Sequence, residues 1–310
     1  MTNTLTIVMY HYVREIRDSP YPNLRGLEID GFRRQLDFLQ KHYQIISAEQ
    51  LIQYVKGELP SLPKHSCLLS FDDGYKDHIR YVLPELLKRS IHGSFFPVAK
   101  PICKHTLLDV NALHYIIACS ETDADLVKSL DYECRQAGLT SRDIELYRQS
   151  INTCHRFDSP EIIYFKRMLQ RELPSDLRSR IISLLFQEYV DKSETLFSEE
   201  LYLSLADVQE LVLQGMYVGS HSYHHHWMNK ESLEFQISDI EKSLEFLRNV
   251  DAPTTDWIMC YPYGAYNSDT LAVVTENRCL LGLTTNVGPA SLEPKKLLEL
   301  SRYDTNDFPQ

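Results

Sequence analysis

Glycine is scarce, 11 residues in 310, and no glycine-rich phosphate loop is visible, which disfavours a nucleotide-binding fingerprint. No run approaches the roughly 18 consecutive apolar residues of a membrane-spanning helix. Paired cysteines are also lacking. The seven present (Cys67, Cys103, Cys119, Cys134, Cys154, Cys260 and Cys279) are scattered, odd in number and form no C-x-x-C element. That pattern argues for reduced thiols rather than a disulfide framework or a zinc ribbon. The N-terminal MTNTLTIVMYHYVRE has no basic leader, and its short apolar run reads as a strand. Together these features lead to the expectation of a cytoplasmic protein. Positive charge is in deficit, 32 Lys and Arg against 43 Asp and Glu, a net charge of −11. This disfavours a general binder of nucleic-acid backbones. No internal repeat or low-complexity tract is present. What remains is an ordinary globular balance, 43% hydrophobic and 24% charged, in a chain long enough for a large single core.

Short β-branched and aromatic runs alternate with helical patterns. Strands are expected at 5–11, 43–47, 67–71, 93–98, 216–220, 257–261, 280–285 and 297–303. Ser47 with Gln50 and Ser204 with Asp207 form capping-box patterns, and the second helix stops at Gly215. Leu233, Ile237, Ile240, Leu244 and Leu247 recur at helical spacing and read as a core-facing stripe. Near-continuous apolar strands alternating with amphipathic helices predict an α/β protein with a buried, mostly parallel sheet. Residues from about 101 to 200 break the alternation. They carry helical patterns only, such as Ile162, Phe165, Leu169 and Leu173, then Leu177, Ile181, Leu184 and Leu185 after Pro174. The chain therefore reads as a single domain, 1–310, interrupted by a helical insertion that offers a possible protein-partner or dimer surface.

Three motifs stand at the C-terminal ends of predicted strands, where βα-barrels assemble active sites from separate loops. Leu69-Ser70-Phe71-Asp72-Asp73-Gly74 places two adjacent carboxylates that can point in different directions. His221-Ser222-Tyr223-His224-His225-His226 carries an H-x-x-x-H pair, which a helical turn would place on one side. One carboxylate and two neutral imidazoles form a three-ligand metal set with a position left for water. Tyr261-Pro262-Tyr263-Gly264 is a turn able to fix a backbone N–H in direction, half of an oxyanion hole. Each motif taken alone has an ordinary structural explanation; their combination favours metal chemistry.

The order FDDG, HSYHH, YPYG resembles the polysaccharide deacetylases with NodB homology, carbohydrate esterase family 4. The resemblance runs from the first strand to about residue 304, outside the insertion. It implies an irregular (β/α) barrel of about seven strands. It also implies Asp73, His221 and His225 as metal ligands, Asp72 as general base and the Tyr263 N–H as oxyanion donor. Tyr261, Pro262 and Arg302 are expected at the substrate, whereas Tyr223, His224 and His226 fall on non-ligand positions. Zinc is the default metal, with cobalt, nickel or iron as alternatives.

Two departures are informative. Cys260 stands where many members carry the arginine that orients the catalytic aspartate, and Leu298–Asp304 lacks the late histidine that serves as general acid. Met9-Tyr10-His11 resembles instead the branch that includes the poly-N-acetylglucosamine deacetylases, which makes His11 the expected acid. Arg302, at a late strand end, is the candidate to replace the orienting arginine. The implied activity is removal of an N-acetyl group from an amino sugar in a glycan or glycan precursor, within surface-polysaccharide biosynthesis. Hydrolysis of another amide or an O-acetyl ester, and a lapsed glycan-binding or scaffold protein, are the alternatives. A phosphoesterase is disfavoured because no second ligand cluster stands out.

Overall fold

A computed structural model describes residues 4–153 and 158–310, and Cys154 lies outside them. The chain divides into two compact units. The first comprises the chain up to Arg14, Gly26–His105 and Glu199–Gln310, and the second comprises Glu15–Arg25 and Thr106–Ser198.

The first unit is built on seven strands: β1 (Thr4–Tyr10), β2 (Ser66–Asp73), β3 (Ser94–Pro97), β4 (Tyr217–Val218), β5 (Trp257–Cys260), β6 (Cys279–Val287) and β7 (Leu300–Asp304). All neighbours along the order β4-β3-β2-β1-β7-β6-β5 are parallel. The sheet curls until its ends meet at a parallel bridge between Ser220 and Met259. There Ser220 N–H donates to the Ile258 carbonyl (3.1 Å) and Cys260 N–H to the Ser220 carbonyl (2.8 Å). This is the irregular (β/α) barrel that the resemblance implies, built on the mostly parallel sheet that the alternation of patterns predicts. Every strand supplies an apolar side chain to one core: Leu5 and Ile7, Leu68, Phe96, Tyr217, Ile258, Leu281 and Leu283, and Leu300. A cluster drawn from all seven strands is the packed interior of the curl. Gln44–Ile45 adds a short parallel pair to β2, and Ala290–Ser291 pairs antiparallel with β1.

Capping explains several helix starts. Ser47 and Gln50 form a reciprocal capping box on helix Ala48–Val55, and Ser204 and Asp207 form one on Leu205–Leu213. Gly215 follows the second helix at φ +75°. Helix Leu233–Asn249 corrects the expected stripe. Leu233 and Ile237 are exposed, and the buried face carries Gln236, Asp239 and Ser243 beside Ile240, Leu244, Phe246 and Leu247. The apolar period was right toward the C-terminus, but the N-terminal half buries polar groups, for a reason visible at the site.

The second unit is helical. It includes Asp109–Cys119, Asp123–Gln136, Ser141–Ser150, Pro160–Arg167 and Ser175–Val190. Thr122, Thr140 and Ser159 cap three of these through their side-chain oxygens. Ile162, Phe165, Leu169, Leu173, Ile181 and Leu185 are buried, while Leu184 is exposed. The segment Glu15–Arg25 joins this unit, which no pattern in the residues announces.

Candidate functional site

Side chains alternate along a strand, so residues two apart share a face. Leu68 lies in the barrel core, which puts Ser70 and Asp72 on the same inward side of β2. Cys260 follows Ile258 by two on β5, and Arg302 follows Leu300 by two on β7. The next inward layer above the apolar core is therefore polar. Arg302 Nη1 donates to Asp72 Oδ1 (2.9 Å), Asp72 Oδ2 (2.7 Å) and Ser70 Oγ (3.2 Å), while its Nε donates to the Thr284 carbonyl (2.8 Å). The Cys260 thiol donates to Asp72 Oδ2 at 3.3 Å. Tyr10 on β1 pairs with Phe71, so His11 arrives beside Asp72, with Nε2 3.9 Å from Oδ2. The His11 side chain is 40% exposed, and it opens this otherwise buried pocket to solvent. Burial pushes the Asp72 carboxyl up, but the Arg302 guanidinium, with His221 and His11, carries it below its ordinary value. Asp72 is thus ionised at neutral pH.

Asp73 and Gly74 both adopt left-handed backbone, φ +71° and +76°. Aspartate tolerates that region, and at Gly74 a Cβ would lie 2.7 Å from Pro97 Cβ. The sharp turn sends the second carboxylate into a different pocket from the first. The Tyr75 hydroxyl donates to Asp73 Oδ2 at 2.5 Å. Asp73 Oδ1 is buried without a hydrogen-bond partner, and it faces His221 Nε2 at 3.3 Å and His225 Nε2 at 3.4 Å. His221 Nδ1 donates to the Cys260 carbonyl (2.7 Å), which turns Nε2 toward Asp73; burial pushes this imidazole down, but Cys260 and Asp73 carry it well above its ordinary value, so a cation bound here would take the place of the Nε2 proton. Burial lowers the His225 imidazole below its ordinary value, favouring the neutral form that ligates metals.

One donor atom from each of Asp73, His221 and His225 lies within 4.8 Å of the others. A buried, unpartnered carboxylate oxygen faced by two imidazole nitrogens suits a divalent cation of borderline softness. Among the described residues Asp72, His221 and Cys260 form a second such group. A cation there would sit against the Arg302 guanidinium, so electrostatics favours the Asp73 set.

The histidines do not stand on a helical turn, contrary to the expectation from their spacing. Residues 221–227 form a loop in which Ser222 and His225 are left-handed, φ +64° and +62°, and the two rings meet edge to face at 4.9 Å. Asp239, fully buried, holds that loop by accepting from Tyr223 N–H (2.9 Å), His224 N–H (2.9 Å) and His224 Nδ1 (2.8 Å). Ser222 Oγ accepts from His225 N–H (2.9 Å), and Ser220 Oγ, itself bonded to Ser243 Oγ (2.6 Å), accepts from Ser222 N–H (3.1 Å). This explains the polar buried face of helix Leu233–Asn249. Sequence reasoning missed Asp239 and Ser243; the visible signal was acidic and hydroxyl residues four apart inside an apolar period.

Tyr263 is left-handed at φ +58°. Its ring meets the His225 ring edge to face (4.7 Å) and stacks on Trp227 (4.5 Å, 9°). A non-glycine residue in this conformation beside a candidate ligand is the kind of local strain that accompanies function. Three residues expected at the substrate have their side chains turned inward. Tyr261 and Arg302 are fully buried and Pro262 is buried, so these side chains are closed to a substrate. Tyr261 packs against Tyr266, and Arg302 is spent on Asp72. Asp77 pairs with Arg14 (2.7 and 2.9 Å), and His78 Nε2 bonds the His11 carbonyl (3.1 Å). His224 and His226 turn their Nδ1 atoms to Asp239 and Glu231 rather than to Asp73.

Residues 185–279 match the family model for polysaccharide deacetylase, a span that holds both histidines and the YPYG turn but not Asp72 and Asp73. The fold is similar to that of the Streptococcus pyogenes deacetylase PplD, at 18% identity and a TM-score of 0.60, covering 98% of this chain and 93% of that one. IcaB from Ammonifex degensii is similar at 17% identity, TM-score 0.56, with 97% and 91% covered. The BpsB deacetylase domain from Bordetella bronchiseptica is similar at 16% identity, TM-score 0.55, with 97% and 95% covered. The chain shares the fold of these deacetylases. No curated protein matches its sequence. In this deacetylase fold the three motifs lie at the C-terminal ends of β2, β4 and β5, on one rim of the barrel.

Proposed function

We propose that this protein is a metal-dependent deacetylase that hydrolyses an N-acetyl group on an amino sugar of a glycan or glycan precursor. The observation that carries the reading is the pair of adjacent carboxylates in unlike pockets. Asp73 Oδ1 stands with two imidazole nitrogens, while the preceding residue, Asp72, is held by Arg302. A divalent ion, zinc by default, would be held by Asp73, His221 and His225 and would supply a Lewis acid for the acyl oxygen and acidify water. Asp72 takes the proton from the attacking water, and Arg302 keeps its carboxylate ionised and oriented for that task. The Tyr263 N–H donates to the oxyanion as the tetrahedral centre forms. His11, the exposed member of the pocket, gives a proton to the departing amine, and acetate leaves. The Streptococcus pyogenes relative is described in complex with acetate, which accords with such a product.

Nothing in this machinery reads what bears the acyl group. The test is therefore acetate release from N-acetylglucosamine oligomers beside O-acetylated glycans, with zinc binding to the chelator-stripped protein measured in parallel. The reading expects about one zinc per chain, lost in Asp73→Asn, and acetate from the N-acetylated substrate. Zinc binding with acetate only from the O-acetylated substrate would make it an esterase. Failure to bind zinc, cobalt or nickel would overturn the hydrolytic mechanism and leave a glycan-binding protein.

A further inference from the structure

Asp73 is gripped from behind by a side chain that the proposed chemistry does not use. Tyr75 is fully buried, and its ring lies close to parallel with Tyr12 (centroids 4.1 Å, 19°) and Tyr202 (6.2 Å, 16°). Its backbone is anchored as well. Tyr75 and Tyr202 form an antiparallel bridge, flanked by bonds from Lys76 N–H to the Leu201 carbonyl (2.8 Å) and from Leu203 N–H to the Gly74 carbonyl (2.9 Å). A ring stacked in this way on an anchored backbone delivers its hydroxyl to one place, Asp73 Oδ2 at 2.5 Å. The other oxygen, Oδ1, has no hydrogen-bond partner and faces both imidazoles. The two oxygens of one carboxylate are thereby given different work.

We propose that Tyr75 is a positioning residue that makes Asp73 a one-oxygen metal ligand. The proposal rests on the reading of Asp73, His221 and His225 as the ligand set. A carboxylate can grip a cation with one oxygen or with both. A buried hydroxyl donating to Oδ2 occupies that oxygen and sets the plane of the carboxylate, so only Oδ1 is presented. One oxygen and two nitrogens leave room on the ion for water and for an acyl oxygen, as hydrolysis requires. Without the hydroxyl, Oδ2 is a buried acceptor with no donor, and rotation onto the ion is its nearest source of compensation.

The test is Tyr75→Phe in the full chain, stripped with chelator and titrated with zinc and, separately, cobalt. Zinc affinity is expected to fall by about 10- to 100-fold. The visible absorption of the cobalt-loaded variant is expected to weaken, as a second oxygen raises the coordination number. Tyr217→Phe is the control, since it also removes a buried hydroxyl, one that accepts from Ile258 N–H (2.9 Å) in the barrel core. It should lose thermal stability while keeping the parental zinc affinity and cobalt spectrum. Parental affinity and spectrum in Tyr75→Phe would overturn the proposal, as would an equal loss of affinity in Tyr217→Phe. A parent chain that takes up neither metal would instead sink the ligand reading, and this proposal with it.

Discussion

Asp72 looks into a pocket furnished by a guanidinium and a thiol, Arg302 and Cys260, whereas Asp73 looks into one furnished by two imidazoles and a phenol. The peptide bond between them separates two electrostatic regions. Arginine cannot give up its proton in a protein, so the charge of Asp72 is matched permanently. Imidazole and phenol carry no permanent charge, so the charge of Asp73 is left for an exchangeable proton on His221 or for a cation. On the proposed reading, two identical side chains become a proton acceptor and a ligand because their neighbours differ. The same logic distinguishes acid from base wherever paired carboxylates occur.

The contrast can be broken first at Asp72. Asp72→Asn keeps the shape and removes the basicity, and turnover is expected to fall by about 10²- to 10⁴-fold while zinc affinity stays near the parental value. Steady-state acetate release and calorimetry check the two halves. Equal loss of both would mean that the pockets are one unit.

Arg302→Ala is expected next in size, because it leaves a fully buried carboxylate without its cation. Unfolding free energy should drop by about 3–5 kcal/mol in denaturant titrations, and turnover should fall with it. A variant of unchanged stability and rate would remove Arg302 from the account.

Acid sharpens the comparison from another side. The Asp72 carboxyl lies below its ordinary value and stays charged in mild acid, but burial pushes the nearby His78 imidazole down to about 4. The unfolded chain, with an ordinary value near 6.5, takes up that proton first. Stability should therefore be whole above about pH 6.5 and decline toward pH 4, by about 3 kcal/mol in all. Urea unfolding across this range measures it, and His78→Asn should flatten the decline; parallel profiles would refute the assignment.

The smallest expected effect is at Cys260. Cys260→Ala removes a weak donor at 3.3 Å from Asp72 and leaves Arg302 in place. Turnover should change by no more than a few-fold. A loss as large as that of Arg302→Ala would show the thiol, and not the guanidinium, to be the main partner of Asp72.

Several features were legible in the residues. Alternation located the strands to within a few residues, from Thr4–Tyr10 to Leu300–Asp304, because buried parallel strands are short apolar runs. The two capping boxes read correctly because capping is a contact over three residues. The three motifs at strand ends were visible for the same reason, each being a local string. Also legible were the departures from the family pattern: Cys260 where the resemblance implies an arginine, and no histidine in Leu298–Asp304. What the pattern misread was direction. Leu233 and Ile237 fit an apolar stripe yet face outward, because the site above needs Asp239 and Ser243 inward. The H-x-x-x-H spacing suggested a helical turn, but left-handed residues at Ser222 and His225 bring the rings together. Tyr261 and Pro262 stand in a site motif, and their side chains are buried.

The residue string alone carried the class of the fold, the order of its elements and the residue types able to hold a metal, since each depends on spacing within one segment. It also carried the absence of an arginine on β5. That Arg302, 230 positions from Asp72, would supply the guanidinium is a matter of which strands become neighbours of the same inward layer. That Asp73 would face imidazoles while Asp72 faces a cation is a matter of one left-handed turn. Long-range juxtaposition and chain direction are set by the whole barrel packing at once, and no local period encodes them.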